Sequence, residues 1–458
     1  MLPRSDQKIR PKRISALTEE QRLRLAAQTH EFWARLAKFQ EAQAELRATF
    51  AAFHALPPNN PATSPNTVPG EFREDEAARF GRVPAAEIVE NASETTENTP
   101  EIVENRRGNA VARDDLFLIV PYPPPFPEQA KFTFIDLFAG IGGFRLAMQS
   151  LGGRCVFSSE WDAKAQDTYF CNFGEIPFGD ITSDAVKSRI PAHFDVLCAG
   201  FPCQAFSIAG RRAGFEDTRG TLFFDTAQII ERHQPKAFFL ENVKNLLHHD
   251  RGNTFRTILR VLREDLHYVV PEPQLVNALN FGVPQHRERV YIVGFRPDLG
   301  IKASDFSYPK PLPQKTHFID VREKNVVPAK YYISTQYLKT LRAHRARHEA
   351  KGHGFGYEII DDNGVANALV VGGMGRERNL VIDKRLQDFT PQTHIKGDVN
   401  REGIRRMTPR EWARLQGFPD DFRICVADAS AYKQFGNSVA VPAIRATAAQ
   451  LLKALKIL

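Results

Sequence analysis

The chain of 458 residues has few cysteines, no long apolar run and no segment with the form of a signal peptide. Its five cysteines are an odd number, and no two of them form a CxxC pair. A transmembrane helix needs about 20 consecutive apolar residues, and no stretch of the sequence provides them. From these absences we expect a reduced, soluble, cytoplasmic protein that uses no metal ion and no membrane.

The charge that is present is divided unevenly along the chain, whose formal net charge at pH 7 is +7. Residues 1–56 carry ten Lys and Arg against six Asp and Glu, whereas residues 57–118 carry six against twelve. The rest of the chain is therefore the most basic part, with a net charge of +9. A basic body behind an acidic segment favours a polyanionic partner.

Glycine and proline are absent from residues 16–56, which predicts a helix. Apolar residues recur there every seven positions, at Leu25, Phe32, Phe39, Leu46 and Phe53. This pattern is typical of a coiled coil through which the chain self-associates, and equally of an amphipathic helix that lies on the main body. The two interpretations stay open.

Further along the chain, short apolar strands alternate with helices, at residues 132–138, 155–162, 194–200, 237–243 and 290–295. Such alternation predicts an α/β fold with a doubly wound, mostly parallel sheet. The expected domains are a helical segment (1–56), a disordered acidic linker (57–128), a main domain (129–298), a second, smaller domain (299–428) and a C-terminal segment that returns to the main domain (429–458).

Cys203 follows the predicted strand at residues 194–200 and stands between Pro202 and Gln204. Open α/β sheets bind their ligands at the carboxyl ends of the strands. This position makes Cys203 a candidate nucleophile. Most free cysteines are small buried apolar residues, however, and this stretch alone does not decide between the two roles.

A glycine-rich turn at residues 138–143 follows the first predicted strand and opens a helix. Its glycines would let the backbone approach a ligand. Glu160 follows about twenty residues later, where an acidic residue can hold a ribose. The pattern fits a dinucleotide as well as S-adenosylmethionine.

Two further polar groups stand near strand ends. Glu241 lies on the sheet edge expected for Cys203, where its carboxyl group could hold or deliver a proton, or cap a helix. Arg287 and Arg289 lie on one face of the next strand, because side chains alternate with a period of two. They could bind a phosphate or a base carbonyl, or form an ordinary surface ion-pair run.

Together these motifs closely resemble those of the DNA (cytosine-5) methyltransferases of bacterial restriction–modification systems. The resemblance runs from Phe132 to about Ala443. It is carried by IDLFAGIGGFR (135–145), GFPCQAFS (200–207), RGTLFF (219–224), LENVKN (240–245), QHRER (285–289), RRMTPREWARLQGFP (405–419) and YKQFGNSVAVP (432–442). The family implies an S-adenosylmethionine-dependent methyltransferase fold in residues 129–298 and a target-recognition domain in residues 299–428.

The resemblance also implies a mechanism. The Cys203 thiolate would add to C6 of a flipped-out cytosine, so that C5 takes a methyl group from S-adenosylmethionine. Glu241 would hydrogen-bond the ring, while Arg287 and Arg289 would bind the base carbonyl and the adjoining backbone. The implied cofactor site is made of Phe138, Gly140, Gly142, Glu160, Trp161, Asp180, Pro202, Leu222, Asn437 and Ser438.

The resemblance further implies contacts with double-stranded DNA. Residues 204–219 would form a mobile loop that closes over DNA, with Gln204 and Ser207 among its contacts. Arg376 and Arg378 follow the second of two glycine-rich turns in residues 352–383, and the bidentate pairing of arginine with guanine leads us to expect that they read guanine, or else bind phosphates. The variable region around them resembles that of enzymes that methylate within CCGG, and a cytosolic, nucleoid-associated protein would follow.

Three other functions are compatible with parts of the sequence. A tRNA cytosine-5 methyltransferase shares the fold, but the variable region of roughly 100 residues favours duplex DNA. The complete set of Cys203, Glu241, Arg287 and Arg289 counts against a non-catalytic cofactor-binding regulator. A nicotinamide dehydrogenase would explain only the glycine-rich turn.

Overall fold

The computed structural model describes residues 14–34, 120–202, 222–354, 356–372, 375–390 and 397–458. All of these belong to one of the two compact units of the chain, the unit formed by Lys12–Ala37 and Phe117–Leu458. The predictions for most of the linker, for the loop at 204–219 and for Cys203, Gln204 and Ser207 lie outside the described residues.

A six-stranded sheet organises the main domain, in the order β2-β1-β3-β4-β7-β5. Its strands are β1 (Phe132–Leu137), β2 (Gly153–Ser159), β3 (Val196–Ala199), β4 (Ala237–Val243), β5 (Gln274–Asn277) and β7 (Glu288–Phe295). The first four pair in parallel, whereas β7 is antiparallel to both β4 and β5. The predicted doubly wound, mostly parallel sheet is confirmed.

Two small sheets accompany the central one. The short strands are β6 (Gln285–His286), β8 (Ile359–Ile360), β9 (Ala366–Asn367), β10 (Leu380–Ile382) and β11 (Ile404–Arg406). β10 pairs with β8 and β11 in the second domain, and β6 pairs with β9. The pairing of β6 with β9 therefore ties the main domain to the second one.

Helices cover the sheet and form much of the rest of the described chain. They are α1 (19–34), α2 (Gly143–Gln149), α3 (Ala163–Phe173), α4 (Asp184–Lys187), α5 (Leu222–His233), α6 (Asn253–Arg260), α7 (Phe318–Val321), α8 (Thr335–Glu349), α9 (Pro409–Leu415), α10 (Asp428–Asn437) and α11 (Val441–Ala454). A π-helix at Val261–Asp265 continues α6.

The central strands are apolar because both faces of the sheet are covered. Alternate residues of a strand point to opposite faces. Phe134 and Phe239 accordingly belong to one buried cluster, together with α2 and α11, while Ile135 and Phe238 belong to a second cluster on the other face. This two-sided burial explains why the strands read as continuous apolar runs.

The first described segment packs on the main domain. Ile14 and Ala26 are buried in the same cluster as Ile135, and Trp33 is 3% exposed. Of the two interpretations of the N-terminal helix, residues 14–34 thus show the docked one. Self-association through the later heptads remains a prediction outside the described residues.

The folded body begins earlier than the predicted linker boundary at residue 128. The Tyr122 ring lies 6.0 Å from that of Phe173 and 6.2 Å from that of Phe422, and its backbone N–H donates to the carbonyl of Asn172. Residues 120–128 therefore belong to the body rather than to the linker, because these apolar contacts stabilise them.

The chain also returns to the main domain before the predicted residue 429. Trp412 on α9, with Phe418 and Phe422, is buried in the cluster that contains Phe132 and Phe134. The aromatic residues of this stretch complete the core under α2 and α3, so the C-terminal segment begins with α9.

The second domain combines a small apolar cluster with buried charges. Ile333, Leu338 and Leu380 pack between α8 and the small sheet. Beside them the guanidinium of Arg405 forms ion pairs with Asp383 at 3.1 Å and with Glu411 at 2.8 Å, and all three side chains are fully buried. These charges join the second domain to α9.

Two cysteines differ from the expectation of a fully reduced chain. Cys171 on α3 and Cys425 are paired as a disulfide across 254 residues of sequence, with their Cα atoms 6.7 Å apart. Cys155 and Cys198 are free and buried. Among the helices of the described residues, none is long and apolar enough to cross a membrane.

Candidate active site

The glycine-rich turn after β1 provides one wall of a cavity. Phe138 and Gly140 both have a φ of 56°, and Gly142 has a φ of 87°, in the left-handed region that favours glycine. A Cβ on Gly140 would have no atom within 4 Å, which leaves its backbone open to a ligand. At Gly142, in contrast, a Cβ would lie 2.3 Å from the ring of Phe173.

Glu160 stands opposite this turn, just beyond the end of β2. Its carboxylate oxygens accept hydrogen bonds from the backbone N–H of Gly140 at 2.8 Å and of Asp162 at 2.7 Å. Burial raises the pKa of this carboxyl group, although both backbone donors favour its charged form. The carboxylate is thus held in place, with oxygen lone pairs left for hydroxyl donors.

Two side chains near Glu160 extend the same wall. Trp161 is 72% exposed and lines the cavity, although a tryptophan is usually well buried. Asp180 also lines it, and one of its carboxylate oxygens accepts the N–H of Thr182 at 2.9 Å. An open indole beside a fixed carboxylate suits a flat ring that carries an amino group.

The cavity has a volume of about 850 Å³. The predicted site residues that line it are Phe138, Gly140, Glu160, Trp161, Asp180, Pro202, Leu222, Glu241, Arg287, Arg289, Asn437 and Ser438. Gly142 does not reach the wall, since it serves the packing of α2 against Phe173. Apart from this glycine, the described members of the predicted catalytic and cofactor sites all line this cavity.

Glu241 and Arg289 form a polar pair that lines the cavity. They lie on the antiparallel strands β4 and β7, where Val243 stands opposite Arg289. The Nε of Arg289 lies 3.1 Å from a carboxylate oxygen of Glu241, and both side chains are largely buried. The pair therefore presents a fixed acceptor and a fixed donor to the same space.

The chain that leads to Cys203 enters the cavity beside Glu241. A Cβ on Gly200 would lie 3.6 Å from a Glu241 oxygen, and Pro202 lines the cavity. The side-chain amide of Asn242 donates to the carbonyl of Phe201 at 2.8 Å, and this bond stabilises the backbone just before Pro202. Sequence reasoning gave no role to Asn242, although it directly follows Glu241.

Arg287 is buried in the wall rather than pointed at open space. It is 2% exposed, and its guanidinium donates to the carbonyls of Leu369, Gly436 and Ser438. Burial and the neighbouring charge of Arg289 lower its pKa. These contacts connect the residue just before β7 to the second domain and to the end of α10. The contact of Arg287 with a base carbonyl remains a prediction.

Two buried glutamines, which the sequence did not single out, reinforce this connection. Gln285 donates to the carbonyl of Leu415 at 2.8 Å and accepts from the N–H of Leu369 at 3.0 Å. Gln416 donates to the carbonyl of Phe435 at 2.7 Å. In the sequence, the two glutamines stand inside two blocks that resemble the family, QHRER and RRMTPREWARLQGFP. Spacing along the chain could not identify their hydrogen-bond partners.

The two candidate base-reading residues lie on the second domain. The guanidinium of Arg376 is 5.4 Å from the centroid of the Tyr432 ring, and its side chain is exposed. Arg378 has its nearest carboxylate, that of Glu358, at 4.0 Å. Neither lines the cavity, so any contact with DNA would be made outside it.

Comparison with known proteins identifies this arrangement. Residues 132–453 match the family of C-5 cytosine-specific DNA methylases. The chain belongs to this family. This DNA cytosine-5 methyltransferase is 71% identical over 325 residues to the type II methyltransferase M.HpaII of Haemophilus parainfluenzae, a match that covers 71% of this chain and 90% of the relative.

A second relative agrees with this assignment, and a solved structure resembles the fold. The methyltransferase is 43% identical over 320 residues to the type II methyltransferase M.HhaI of Haemophilus parahaemolyticus, covering 67% of this chain and 90% of the relative. Among solved structures it resembles the methyltransferase EhMeth of Entamoeba histolytica, with a TM-score of 0.53, 18% identity, and coverage of 71% of this chain and 99% of that one. At that identity the likeness supports the fold alone.

The family match leaves residues 1–131 outside, and these include α1. Within the described ranges of this methyltransferase, no group of three or more His, Cys, Asp and Glu side chains has the arrangement of a metal site.

Proposed function

We propose that this methyltransferase transfers a methyl group from S-adenosylmethionine to C5 of a cytosine within a short double-stranded DNA site, CCGG. The observation that carries the proposal is that the Glu241–Arg289 pair and the wall formed by Gly140 and Glu160 line one cavity. A methyl donor and a target base could meet there directly, without transfer between separate sites.

The residues around the glycine-rich turn and Glu160 fit S-adenosylmethionine. Glu160 would accept from the ribose hydroxyls, Trp161 would stack on the adenine, and Asp180 would accept from its amine. The open backbone at Gly140 leaves room for the amino-acid part of the cofactor. When bound, S-adenosylmethionine supplies an electrophilic methyl group on a sulfonium centre.

The Glu241–Arg289 pair fits a cytosine. Arg289 would donate to the base carbonyl, while Glu241, carrying a proton, would donate to N3 and accept from the exocyclic amine. The contact with Arg289 keeps the carboxyl group of Glu241 in one orientation. Since negative charge develops on the ring during attack, a pre-oriented donor at N3 stabilises the transition state more than the ground state.

Cys203 would supply the nucleophile. Its thiolate would form a bond to C6, and the electron pair of the C5–C6 double bond would then be available at C5 to take the methyl group. Loss of the C5 proton to a base and breakage of the C6–S bond would restore the aromatic ring and the thiolate. A carbon atom that is stacked inside duplex DNA cannot be reached in this way, so the cytosine must be flipped out.

The type II names of the similar bacterial proteins support a role in protecting DNA from a cognate restriction endonuclease. The same relatives favour double-stranded DNA over tRNA, and a cytosolic location at the nucleoid follows from such a substrate. In this proposal, residues 299–408 form the target-recognition domain, and residues 120–298 carry catalysis with the segment that returns from residue 409 onwards.

Bisulfite sequencing of plasmid DNA from a host that expresses the protein tests substrate, atom and site together. We expect protected cytosines at one position of CCGG and none in cells that carry Cys203→Ser. DNA with 5-fluorocytosine at the target should yield a denaturation-resistant complex, because fluorine cannot leave as a proton does. The absence of both protected cytosines and trapped complex would refute the proposal.

A further inference from the structure

Residues 174–180 contact and partly form the side of the cavity that contains Glu160 and Asp180, here called the cofactor wall. Neighbouring elements contact this segment from several sides. Phe178 donates its N–H to the carbonyl of Ser158 and accepts the N–H of Glu160, both at 2.8 Å. Gly179 and Asp180, which follow directly, line the cavity. A displacement of Phe178 would therefore move Glu160 and Asp180 together.

One face of this segment is held from within the family core. Glu175 forms a buried ion pair with Arg145 on α2. The side-chain amide of Gln166 on α3 donates to the carbonyls of Glu160 at 2.6 Å and of Pro177 at 3.1 Å. These contacts belong to the part of the chain that matches the family.

The other face is covered by α1, which lies outside the family match. The indole N–H of Trp33 donates to the carbonyl of Gly174 at 3.0 Å, in a buried bond. The hydroxyl of Thr29 accepts the N–H of Ile176 at 3.3 Å. A Cβ on Gly174 would lie 2.8 Å from the Trp33 ring, so the two are in tight contact.

His30 on α1 makes the contact that leads most directly to the cofactor wall. Its ring stacks on Phe178 with centroids 4.8 Å apart, and Phe178 stacks in turn on Phe157 of β2 at 5.2 Å. Leu23 and Glu19, about two and three turns earlier on α1, approach Gly179 to about 4 Å from the position of an added Cβ. The helix thus borders the whole stretch from Gly174 to Gly179.

We propose that α1 is a positioning element of the cofactor site, in which His30 and Trp33 hold residues 174–180 so that Glu160 and Asp180 are placed for binding. The inference rests on the proposed use of S-adenosylmethionine. Since Arg145, Gln166 and the backbone bonds of Phe178 remain without α1, loss of these contacts weakens cofactor binding but does not abolish it. Neither residue touches the reacting atoms, so the methyl-transfer step itself is unaffected.

The test measures binding of S-adenosylhomocysteine by calorimetry, and the Michaelis constants and turnover number of the full chain. We expect His30→Ala to raise the dissociation constant and the Michaelis constant for the cofactor about fivefold or more, with a turnover number within about twofold of wild type. Trp33→Phe keeps most of the ring packing but removes the bond to Gly174, and should shift the same two constants in the same direction.

Two controls separate positioning from a general loss of stability. Gln28→Ala changes an exposed residue of α1 and should leave all the constants unchanged. Leu338→Ala removes buried side-chain volume in the second domain. Leu338 belongs to an apolar cluster that contains none of the residues around the proposed cofactor site. The substitution should lower the melting temperature without a matching change in cofactor affinity.

The outcomes are distinct. If His30→Ala and Trp33→Phe change cofactor affinity no more than Leu338→Ala does, α1 only stabilises the fold and the inference is wrong. If they lower the turnover number with no change in affinity, it is also wrong. If the wild-type protein itself does not bind S-adenosylhomocysteine, the proposed cofactor is wrong and the inference fails with it.

Discussion

In the main domain, β1, β3 and β4 bury side chains such as Phe134, Leu197 and Phe238 on both faces of the sheet. The second domain buries fewer apolar groups and instead encloses Arg405 with Asp383 and Glu411. Apolar burial has no direction and tolerates small displacements, whereas buried charges demand matched partners. The main domain also buries an ion pair, that of Arg145 with Glu175, but it surrounds this pair with large apolar clusters, whereas the buried charges of the second domain lie beside a small one. The order of the region expected to read DNA therefore depends more on polar geometry.

The largest effect should come from breaking that polar geometry. Arg405→Met would leave the Glu411 carboxylate without the cation that it contacts through both oxygens, and should cost about 3–5 kcal/mol of unfolding free energy. Denaturant unfolding measures it.

Phe239→Ala is the matched control in the main domain, with a cost of about 3–5 kcal/mol from lost burial and a cavity. Adding Asp383→Asn and Glu411→Gln to Arg405→Met should recover part of the loss, because no uncompensated charge is then buried. A loss below about 1 kcal/mol for Arg405→Met would contradict the proposed difference between the domains.

The next effect separates chemistry from recognition. Glu241→Gln should lower the turnover number by about 100- to 1000-fold with little change in DNA affinity, because the hydrogen bonds of Glu241 strengthen as charge develops on the ring. Transfer of tritiated methyl groups measures the rate. Glu288→Gln, an exposed carboxylate paired with Lys244, is the control and should have almost no effect. A change limited to the Michaelis constant would make Glu241 a binding residue only.

A smaller effect is expected on the second domain. Arg376→Ala and Arg378→Ala should each reduce discrimination by about 1–3 kcal/mol if the arginine pairs with a guanine, so that methylation spreads to sites with one changed base pair. Bisulfite profiles on mixed-sequence DNA show this, with the exposed Arg347→Ala of α8 as control. Uniform weakening at all sites, with a lower salt slope, would instead identify phosphate contacts.

The smallest effect concerns pH, where two buried aspartates act in opposite directions. Burial raises the pKa of Asp136 on β1 to about 8, so its folded form holds a proton that the unfolded chain releases, and stability falls as pH rises from about 4 towards 8. Burial opposes the charge of Asp383 too, but hydrogen bonds from Arg385 and the charge of Arg405 lower its pKa. Its stabilising contribution is therefore present at neutral pH and is lost in acid, below the ordinary aspartate range.

Melting temperatures across this range test the contrast. Asp136→Asn should raise the melting temperature at pH 8 relative to wild type by a few degrees, and by less at pH 5. Asp383→Asn should lower it at neutral pH, with a difference that shrinks below about pH 4. The same sign of pH dependence for both variants would show that the two domains do not differ in this respect.

The sequence predicted what depends on local periodicity and on short motifs. Alternating strands and helices predicted the sheet, and Glu160, Glu241 and Arg289 could be placed because each stands within two residues of a strand end. The carbonyl contacts of Arg287 could not be predicted, since Gly436 lies 149 residues away and spacing says nothing about such partners. The heptad pattern of the N-terminal helix was equally compatible with docking and with self-association, because both bury the same apolar stripe.

The cavity wall is assembled from distant parts of the chain, and this affects when it can form. Phe138 lies on it with Asn437 and Ser438, which are made 299 and 300 residues later. At about 5–20 residues per second, a ribosome needs roughly 15–60 s to cover that distance. Throughout that time the glycine-rich turn and Glu160 lack their opposite wall. A nascent chain therefore has to keep its first strands from aggregating before the cavity is complete, and a ligand of the proposed site can contact the whole wall only after residue 438 has been synthesised.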